Sequence, residues 1–133
     1  MIFIDTGAFI ARYVSADQYH QQAVAAWSRL KEDRKRCFTS NFVLDEMFTL
    51  LARQAGYGFA AQRARNILDS QALRILRPGE GQEREAVELF EKFADQKISF
   101  TDCVSFVLMR QAGIRKAFSF DRHFILAGFD LWP

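Results

Sequence analysis

The chain has 133 residues, half of them hydrophobic and 14 of them phenylalanine, and its formal net charge is +2. This length predicts one domain over residues 1–133 with a sizeable core, and so small a net charge says little about a nucleic-acid partner. No apolar run approaches the roughly 20 residues that span a bilayer, no secretory signal opens the chain, and neither cysteine has metal-ligand spacing, so we expect a cytoplasmic protein with free thiols and no membrane anchor.

Short apolar runs alternate with longer amphipathic stretches along the whole chain. The predicted strands are Met1–Asp5, Cys37–Ser40, Ala72–Leu76, Ala117–Phe120 and a short Asp130–Trp132. The predicted helices are Thr6–Val14, Tyr19–Asp33, Phe42–Gln54, Phe59–Ser70, Glu80–Ala94, Thr101–Ala112 and a short one from Arg122. The first strand is continuously apolar up to its aspartate, which is typical of a strand buried on both faces. The alternation therefore predicts an α/β fold, a three-layer α/β/α sandwich around a short parallel sheet.

Two of the predicted strands run directly into an aspartate, Asp5 in "MIFIDTGAFI" and Asp121 in "FSFDRHF". In a parallel sheet the ligand site lies beyond the C-terminal ends of the strands, so both carboxylates are expected at the same edge. Taken singly, each aspartate is better explained as the N-cap of the helix that follows it. Taken together, the two favour a site at that edge.

Two further acids are predicted on apolar helices. Asp102 shares a helix face with Phe106 and Met109, and a lone carboxylate on a buried helix loses several kcal/mol of hydration, which a bound cation would offset. The alternative for Asp102 is an exposed position at the helix start. In "TSNFVLDEMFTLLAR", Asp45 and Glu46 flank one apolar face from opposite sides, so helical spacing does not choose between them. A solvated helix face is the alternative for both.

Four segments together resemble the PIN-domain ribonucleases, specifically the toxin component of VapBC toxin–antitoxin pairs. "FIDTGAF" resembles the opening strand of the family with its first acid, and "TSNFVLDE" resembles its Ser-to-Glu segment. "FTDCVSFVLMRQAGIRKAFSFDRHF" resembles the closing block, in which a third acid opens a helix and a fourth follows a strand. "LAGFDLWP" resembles the short C-terminal strand. The resemblance covers the whole chain, and the order and spacing of the four acids make it specific.

The resemblance implies a set of four catalytic metal ligands: Asp5, Glu46, Asp102 and Asp121. It thereby favours Glu46 over Asp45. It also implies supporting roles for Thr6 and Ser119, which lie beside the acids and would bind water or phosphate. The family often has Ser in place of Gly7 and Thr in place of Ser119, so these two residues are mild departures, and neither removes a metal ligand.

Four carboxylates at one sheet edge would repel one another unless some were protonated or a cation neutralised them. Mg²⁺ or Mn²⁺ suits coordination by oxygens alone, activates a bound water and stabilises the leaving 3′-oxygen. The resemblance therefore implies a metal-dependent endoribonuclease toxin that hydrolyses RNA phosphodiester bonds and leaves a 5′-phosphate. The partners that it implies are an RNA substrate, an inhibiting cognate antitoxin and a second copy of the chain in a homodimer.

Arginine outnumbers lysine 13 to 5, and guanidinium groups suit phosphate pairing. Among the basic residues, Arg12 and Arg122 are expected nearest the predicted site, and His123 is weighed mainly as a surface residue at a helix start.

Two other classes of protein remain open on the sequence alone. One is a catalytically inactive PIN-like domain that binds RNA or protein, against which the complete set of four acids argues. The other is an α/β phosphatase or phospho-acceptor domain. Such domains usually carry a second aspartate two positions after the first, where this chain has Gly7.

Overall fold

The computed structural model describes all 133 residues, and strands and helices alternate along it. The strands are β1 (Ile2–Ile4), β2 (Cys37–Ser40), β3 (Leu73–Leu76), β4 (Lys116–Phe118) and β5 (Asp130–Leu131). The helices are α1 (Thr6–Tyr13), α2 (His20–Glu32), α3 (Asn41–Ala55), α4 (Tyr57–Asp69), α5 (Glu80–Lys92), α6 (Phe100–Ala112) and α7 (His123–Leu126). The strands form one parallel sheet in the order β3-β2-β1-β4-β5. The predicted α/β/α fold is confirmed.

The central strand shows why helices must cover both faces of the sheet. Ile2, Phe3 and Ile4 of β1 are all buried, and successive side chains of a strand point to opposite faces. Aromatic side chains pack between these elements. Phe118 of β4 packs against Trp27 of α2 with ring centroids 5.6 Å apart. Phe106 of α6 packs edge to face on Phe124 of α7 at 5.2 Å.

The predicted boundaries lie within two residues of the observed ones, and two of the differences have a local cause. β4 ends at Phe118, two residues early, because the Asp121 N–H donates to the Ser119 hydroxyl at 3.0 Å and turns the chain out of the sheet. α5 ends at Lys92 and not at residue 94, because a short 3₁₀ turn follows at Ala94–Gln96. Lys97 then takes a left-handed conformation (φ 55°), which reverses the chain before α6.

The strand order positions the functional edge. From β1 the chain crosses to β2 on one side, whereas β4 lies on the other side of β1 and leads to β5. The gap between the C-terminal ends of β1 and β4 is therefore a topological switch point, where open α/β sheets bind ligands. Elsewhere in the fold, none of the helices combines the length and the apolar character that a membrane crossing requires.

Candidate active site

Asp5 lies at the switch point, directly after β1. Its backbone N–H donates to the Phe118 carbonyl at 3.1 Å, which extends the sheet by one residue. Asp5 occupies the N-cap position of α1, but its side chain makes no capping hydrogen bond. Oδ2 instead accepts a hydrogen bond from the Ser119 hydroxyl at 2.8 Å, and the residue is only 6% exposed. The capping interpretation is therefore wrong for Asp5, because its carboxylate is turned toward the end of β4.

Ser119 joins the ends of β1 and β4. Its hydroxyl donates to Asp5 and accepts the Asp121 N–H, so both functions of the group are used inside the protein. Ser119 is buried and does not line the cleft described below. It is placed to position two carboxylates. Its hydroxyl proton is donated to Asp5, so the same proton is not available for the expected contact with a phosphate oxygen.

Asp121 combines a local structural role with exposure to the cleft. Oδ1 accepts the His123 N–H at 2.9 Å, which closes a turn before α7. Arg122 is the N-cap of α7, so Asp121 stabilises the approach to that helix from one residue further upstream. Oδ2 is free of this turn, and the side chain is 42% exposed. The N-cap interpretation is thus wrong for Asp121, whose Oδ1 holds the turn before the helix and whose Oδ2 takes no part in that turn.

Asp102 lies in the first turn of α6 and is 8% exposed. Ser99 caps that helix, since its hydroxyl accepts the Asp102 N–H at 3.1 Å. The Asp102 carboxylate is therefore not needed as a cap, and the structure agrees with the predicted burial of Asp102 and not with the alternative of an exposed helix start. Every residue of α6 from Asp102 to Met109 is buried, as the apolar sequence of this helix predicts.

The structure shows which of the two neighbouring acids, Asp45 or Glu46, lines the cleft, a choice that helical spacing alone does not make. Ser40 caps α3 by accepting the Val43 N–H at 3.1 Å, and this starts the helix directly at the end of β2. Glu46, half-buried in the second turn, then lines the same cleft as Asp5 and Asp102. Asp45 is exposed and does not line it.

Burial, and to a smaller extent the convergence of acids, raises two pKa values. Burial is the main cause that raises the pKa of Asp5 from 3.8 to about 7, and the negative charge of Asp102 adds to it. Burial also raises the pKa of Asp102 to about 6, with further contributions from Asp121 and Glu46 and an opposing hydrogen bond from His123. The protein alone therefore does not fully compensate the charge of the cluster.

The cleft has a volume of about 670 Å³ and a predominantly polar lining. All four predicted acids line it, together with Thr6, Gly7 and His123. The Thr6 hydroxyl is buried and has no hydrogen-bond partner. A Cβ at Gly7 would meet no atom within 4 Å, so the space for a serine side chain exists there.

The basic residues are distributed differently from the sequence prediction. Arg122 lines the cleft as expected, and so does Lys97, which no sequence signal indicated. Arg12 lies in a separate groove, with its guanidinium 4.4 Å from the centre of the Trp27 ring. The prediction that Arg12 lies near the acids is therefore wrong, because α1 directs it toward α2.

His123 lies in the site itself, although its sequence position predicts mainly a surface residue at a helix start. Its Nδ1 lies 3.2 Å from Oδ2 of Asp102 and 3.2 Å from Oδ2 of Asp121. The proximity to Asp121 follows from a separation of two residues. The contact with Asp102, which is 21 positions away, arises only when α6 and α7 pack together.

Comparisons with known proteins agree with this geometry. Residues 2–130 match the family model described as the PIN domain. The 23S rRNA-specific endonuclease VapC20 of Mycobacterium tuberculosis is 36% identical over 129 residues, which cover 97% of this chain and 95% of that protein. A VapC ribonuclease of Archaeoglobus fulgidus is 32% identical over 133 residues, covering 97% of this chain and 83% of the relative.

The three-dimensional comparison gives the same result. The crystal structure of Mycobacterium tuberculosis VapC20, described as a sarcin–ricin loop cleaving toxin, matches with a TM-score of 0.86 and 35% sequence identity. The match covers 97% of this chain and 96% of that chain. The chain therefore belongs to the PIN-domain family, and within it to the VapC-type ribonuclease toxins. This assignment confirms the resemblance and excludes the α/β phosphatase interpretation.

Proposed function

We propose that this protein is an endoribonuclease toxin whose four clustered acids hold Mg²⁺ or Mn²⁺. The observation that carries this proposal is the convergence of Asp5, Glu46, Asp102 and Asp121 on one cleft, at the switch point of a PIN fold. These residues come from four different segments of the chain, and capping requires the carboxylates of neither Asp5 nor Asp102.

The chemistry of the donor set fits a hard divalent cation. Carboxylate oxygens are the ligands that Mg²⁺ and Mn²⁺ prefer. Burial, with a smaller effect of the neighbouring carboxylates, raises the pKa values of Asp5 and Asp102, and a bound cation would favour their charged forms. Thr6 lines the same cleft and its buried hydroxyl has no partner in the protein, which supports the proposed role of this residue beside the acids.

Bound there, the metal would lower the pKa of a water nucleophile and stabilise the leaving 3′-oxygen. The protein contributes orientation and charge. The Ser119 hydroxyl fixes Oδ2 of Asp5, and the turn at Asp121 fixes the end of β4. Lys97 and Arg122 also line the cleft and would bind RNA phosphates there.

The proposed substrate is ribosomal RNA of the large subunit. The relative that is 36% identical to this chain along nearly its whole length is named for cleavage of 23S rRNA, and its structure superimposes with a TM-score of 0.86. A structured rRNA loop also suits an open polar cleft, because proteins recognise RNA largely through loops and backbone shape.

Cleavage of ribosomes tests this proposal. Ribosomes incubated with the purified protein and Mn²⁺ should yield one discrete break in 23S rRNA, mapped by primer extension, and the Asp5→Asn variant should yield none. If ribosomes stay intact while a generic single-stranded RNA is cut, the substrate is wrong and the nuclease stands. If neither RNA is cut, the chain is an inactive binding module.

Metal binding should depend on pH in the range set by Asp5 and Asp102. Both carboxyls have pKa values above the ordinary 3.8, so at pH 6 they retain protons that a metal must displace. Affinity for Mn²⁺ should therefore rise from pH 5.5 to about 8 and then level off. Calorimetry at pH 6 in buffers of different ionisation enthalpy should detect release of about one proton per metal ion. An affinity that is equal at pH 6 and pH 8 would contradict the assignment of Asp5 as a ligand.

Two partners follow from membership of the toxin family, and both are proposals for this chain. A cognate antitoxin should bind the toxin and suppress cleavage, and co-expression with the adjacent small reading frame tests this. A homodimer is expected on the same grounds. Light scattering on a sizing column should give about twice the monomer mass of 15.4 kDa; a monomer at micromolar concentration would contradict the expected dimer.

A further inference from the structure

We propose that His123 is a direct metal ligand, so that the site combines carboxylates with one imidazole and prefers Mn²⁺ to Mg²⁺. The inference rests on the proposed metal site and adds a residue that the four-acid pattern does not contain. Its basis is the position of the ring nitrogen between a carboxylate of α6 and a carboxylate of the turn that precedes α7.

The distances fit metal coordination, and they also lie at the long end of the hydrogen-bond range. Nδ1 of His123 lies 3.2 Å from Oδ2 of both Asp102 and Asp121, and the three donor atoms lie within 4.8 Å of one another. Charge-assisted hydrogen bonds to carboxylates are shorter, about 2.7–2.9 Å. Adjacent ligands of an octahedral ion with metal–ligand bonds of about 2.1 Å lie about 3 Å apart.

The backbone holds the imidazole at this position. The His123 N–H donates to Oδ1 of Asp121, so the turn that orients Asp121 also orients the histidine. The next residue, Phe124, is completely buried and packs on Phe106 of α6, the helix that carries Asp102. The ring is therefore preorganised against both acids and is 29% exposed, which leaves room for a substrate or water on its outer side.

An imidazole ligand changes which metal the site favours. Mg²⁺ prefers oxygen ligands and near-ideal octahedral geometry, whereas imidazole suits transition metals. Removing the imidazole should weaken binding of Mn²⁺ more than binding of Mg²⁺. A different arrangement, in which a protonated ring occupies the place of the cation, predicts the opposite result, because loss of the ring would then strengthen binding of both ions.

The experiment is pulsed electron paramagnetic resonance of Mn²⁺ bound to the purified protein, which detects coupling to a ligand ¹⁴N. Wild type should show this coupling and His123→Ala should lose it. The chain has one other histidine, His20, whose Nδ1 lies 2.7 Å from the Ala11 carbonyl, away from the cleft. His20→Gln should keep the coupling and serves as the matched control.

Calorimetry supplies the second measurement. His123→Ala should weaken Mn²⁺ binding about tenfold, with a smaller effect on Mg²⁺. His123→Asp restores an oxygen ligand and should keep tight binding while lowering the preference for Mn²⁺. Bound Mn²⁺ without ¹⁴N coupling, or equal or tighter binding by His123→Ala, would overturn the role of His123 and leave the proposed metal site standing. Failure of wild type to bind either ion would overturn the proposed function itself.

Discussion

Replacing Glu46 by Gln is expected to abolish RNA cleavage, whereas replacing its neighbour Asp45 by Asn leaves cleavage nearly unchanged. Glu46 lines the acid cleft and its charge raises the pKa of Asp102, so it shares one electrostatic environment with the buried acids. Asp45 is exposed on the same helix and lies outside the cleft. Loss of a metal ligand should lower the rate at least about a hundredfold. Mutation of residues that only hold the ligands in place already lowers metal affinity or activity about 10–100-fold.

The comparison is informative because the two substitutions are chemically matched. Each removes one negative charge from α3 with almost no change in volume, so a general effect of charge on RNA binding would appear in both variants. Single-turnover cleavage rates at saturating Mn²⁺ measure the difference. If Asp45→Asn were the inactive variant, the orientation of α3 would be wrong by one residue.

The second large effect concerns stability. Asp5→Asn is expected to melt higher than wild type in EDTA at pH 8. The folded-state pKa of Asp5, about 7, lies above its ordinary value of 3.8, so folding favours the protonated carboxyl. The contribution of this carboxyl to the free energy of unfolding is fully present below about pH 4. It is lost as the pH rises to 7, and the loss is at most about 4 kcal/mol.

Asparagine avoids this loss because it carries no charge, although its amide must also be buried. We expect a gain of about 2 kcal/mol, or about 6 °C in Tm, and a much smaller rise in Tm when Mg²⁺ is added. Asp102→Asn should act in the same direction with a smaller effect, because the pKa of Asp102 is raised only to about 6. Asp45→Asn is the exposed control and should leave Tm in EDTA unchanged.

Melting curves with and without Mg²⁺ measure these differences. An Asp5→Asn variant that is less stable than wild type in EDTA would contradict the electrostatic interpretation. It would mean that the hydrogen bond from Ser119 stabilises the fold more than the buried charge destabilises it.

Much of the fold could be predicted from the sequence, because the signals that determine it are local. A continuously apolar strand that ends in Asp5 indicates a parallel sheet and its C-terminal edge, and the buried pattern around Asp102 indicates an inner helix. Once the sheet is parallel, the two acids that follow β1 and β4 must share an edge. The choice of Glu46 over Asp45 came from the family resemblance, and the cleft agrees with it.

What the sequence could not provide depends on contacts between distant segments. The bond from Ser119 to Asp5 links residues 114 positions apart and turns a potential helix cap into a buried acid. The proximity of His123 to Asp102 requires the packing of α7 on α6, which no periodicity encodes. Conversely, closeness in sequence does not ensure closeness in space: Arg12 is only seven positions from Asp5 but lies in another groove.

The central claim is that the acid cluster cleaves RNA by means of a bound divalent metal. The most direct test is cleavage by protein stripped with EDTA and then titrated with Mg²⁺ or Mn²⁺, with the Asp5→Asn variant in parallel. Cleavage should be absent without metal, return with added metal to wild type alone, and leave a 5′-phosphate on the product. Cleavage by the purified wild type that persists in EDTA, or that the variant retains, would contradict the claim.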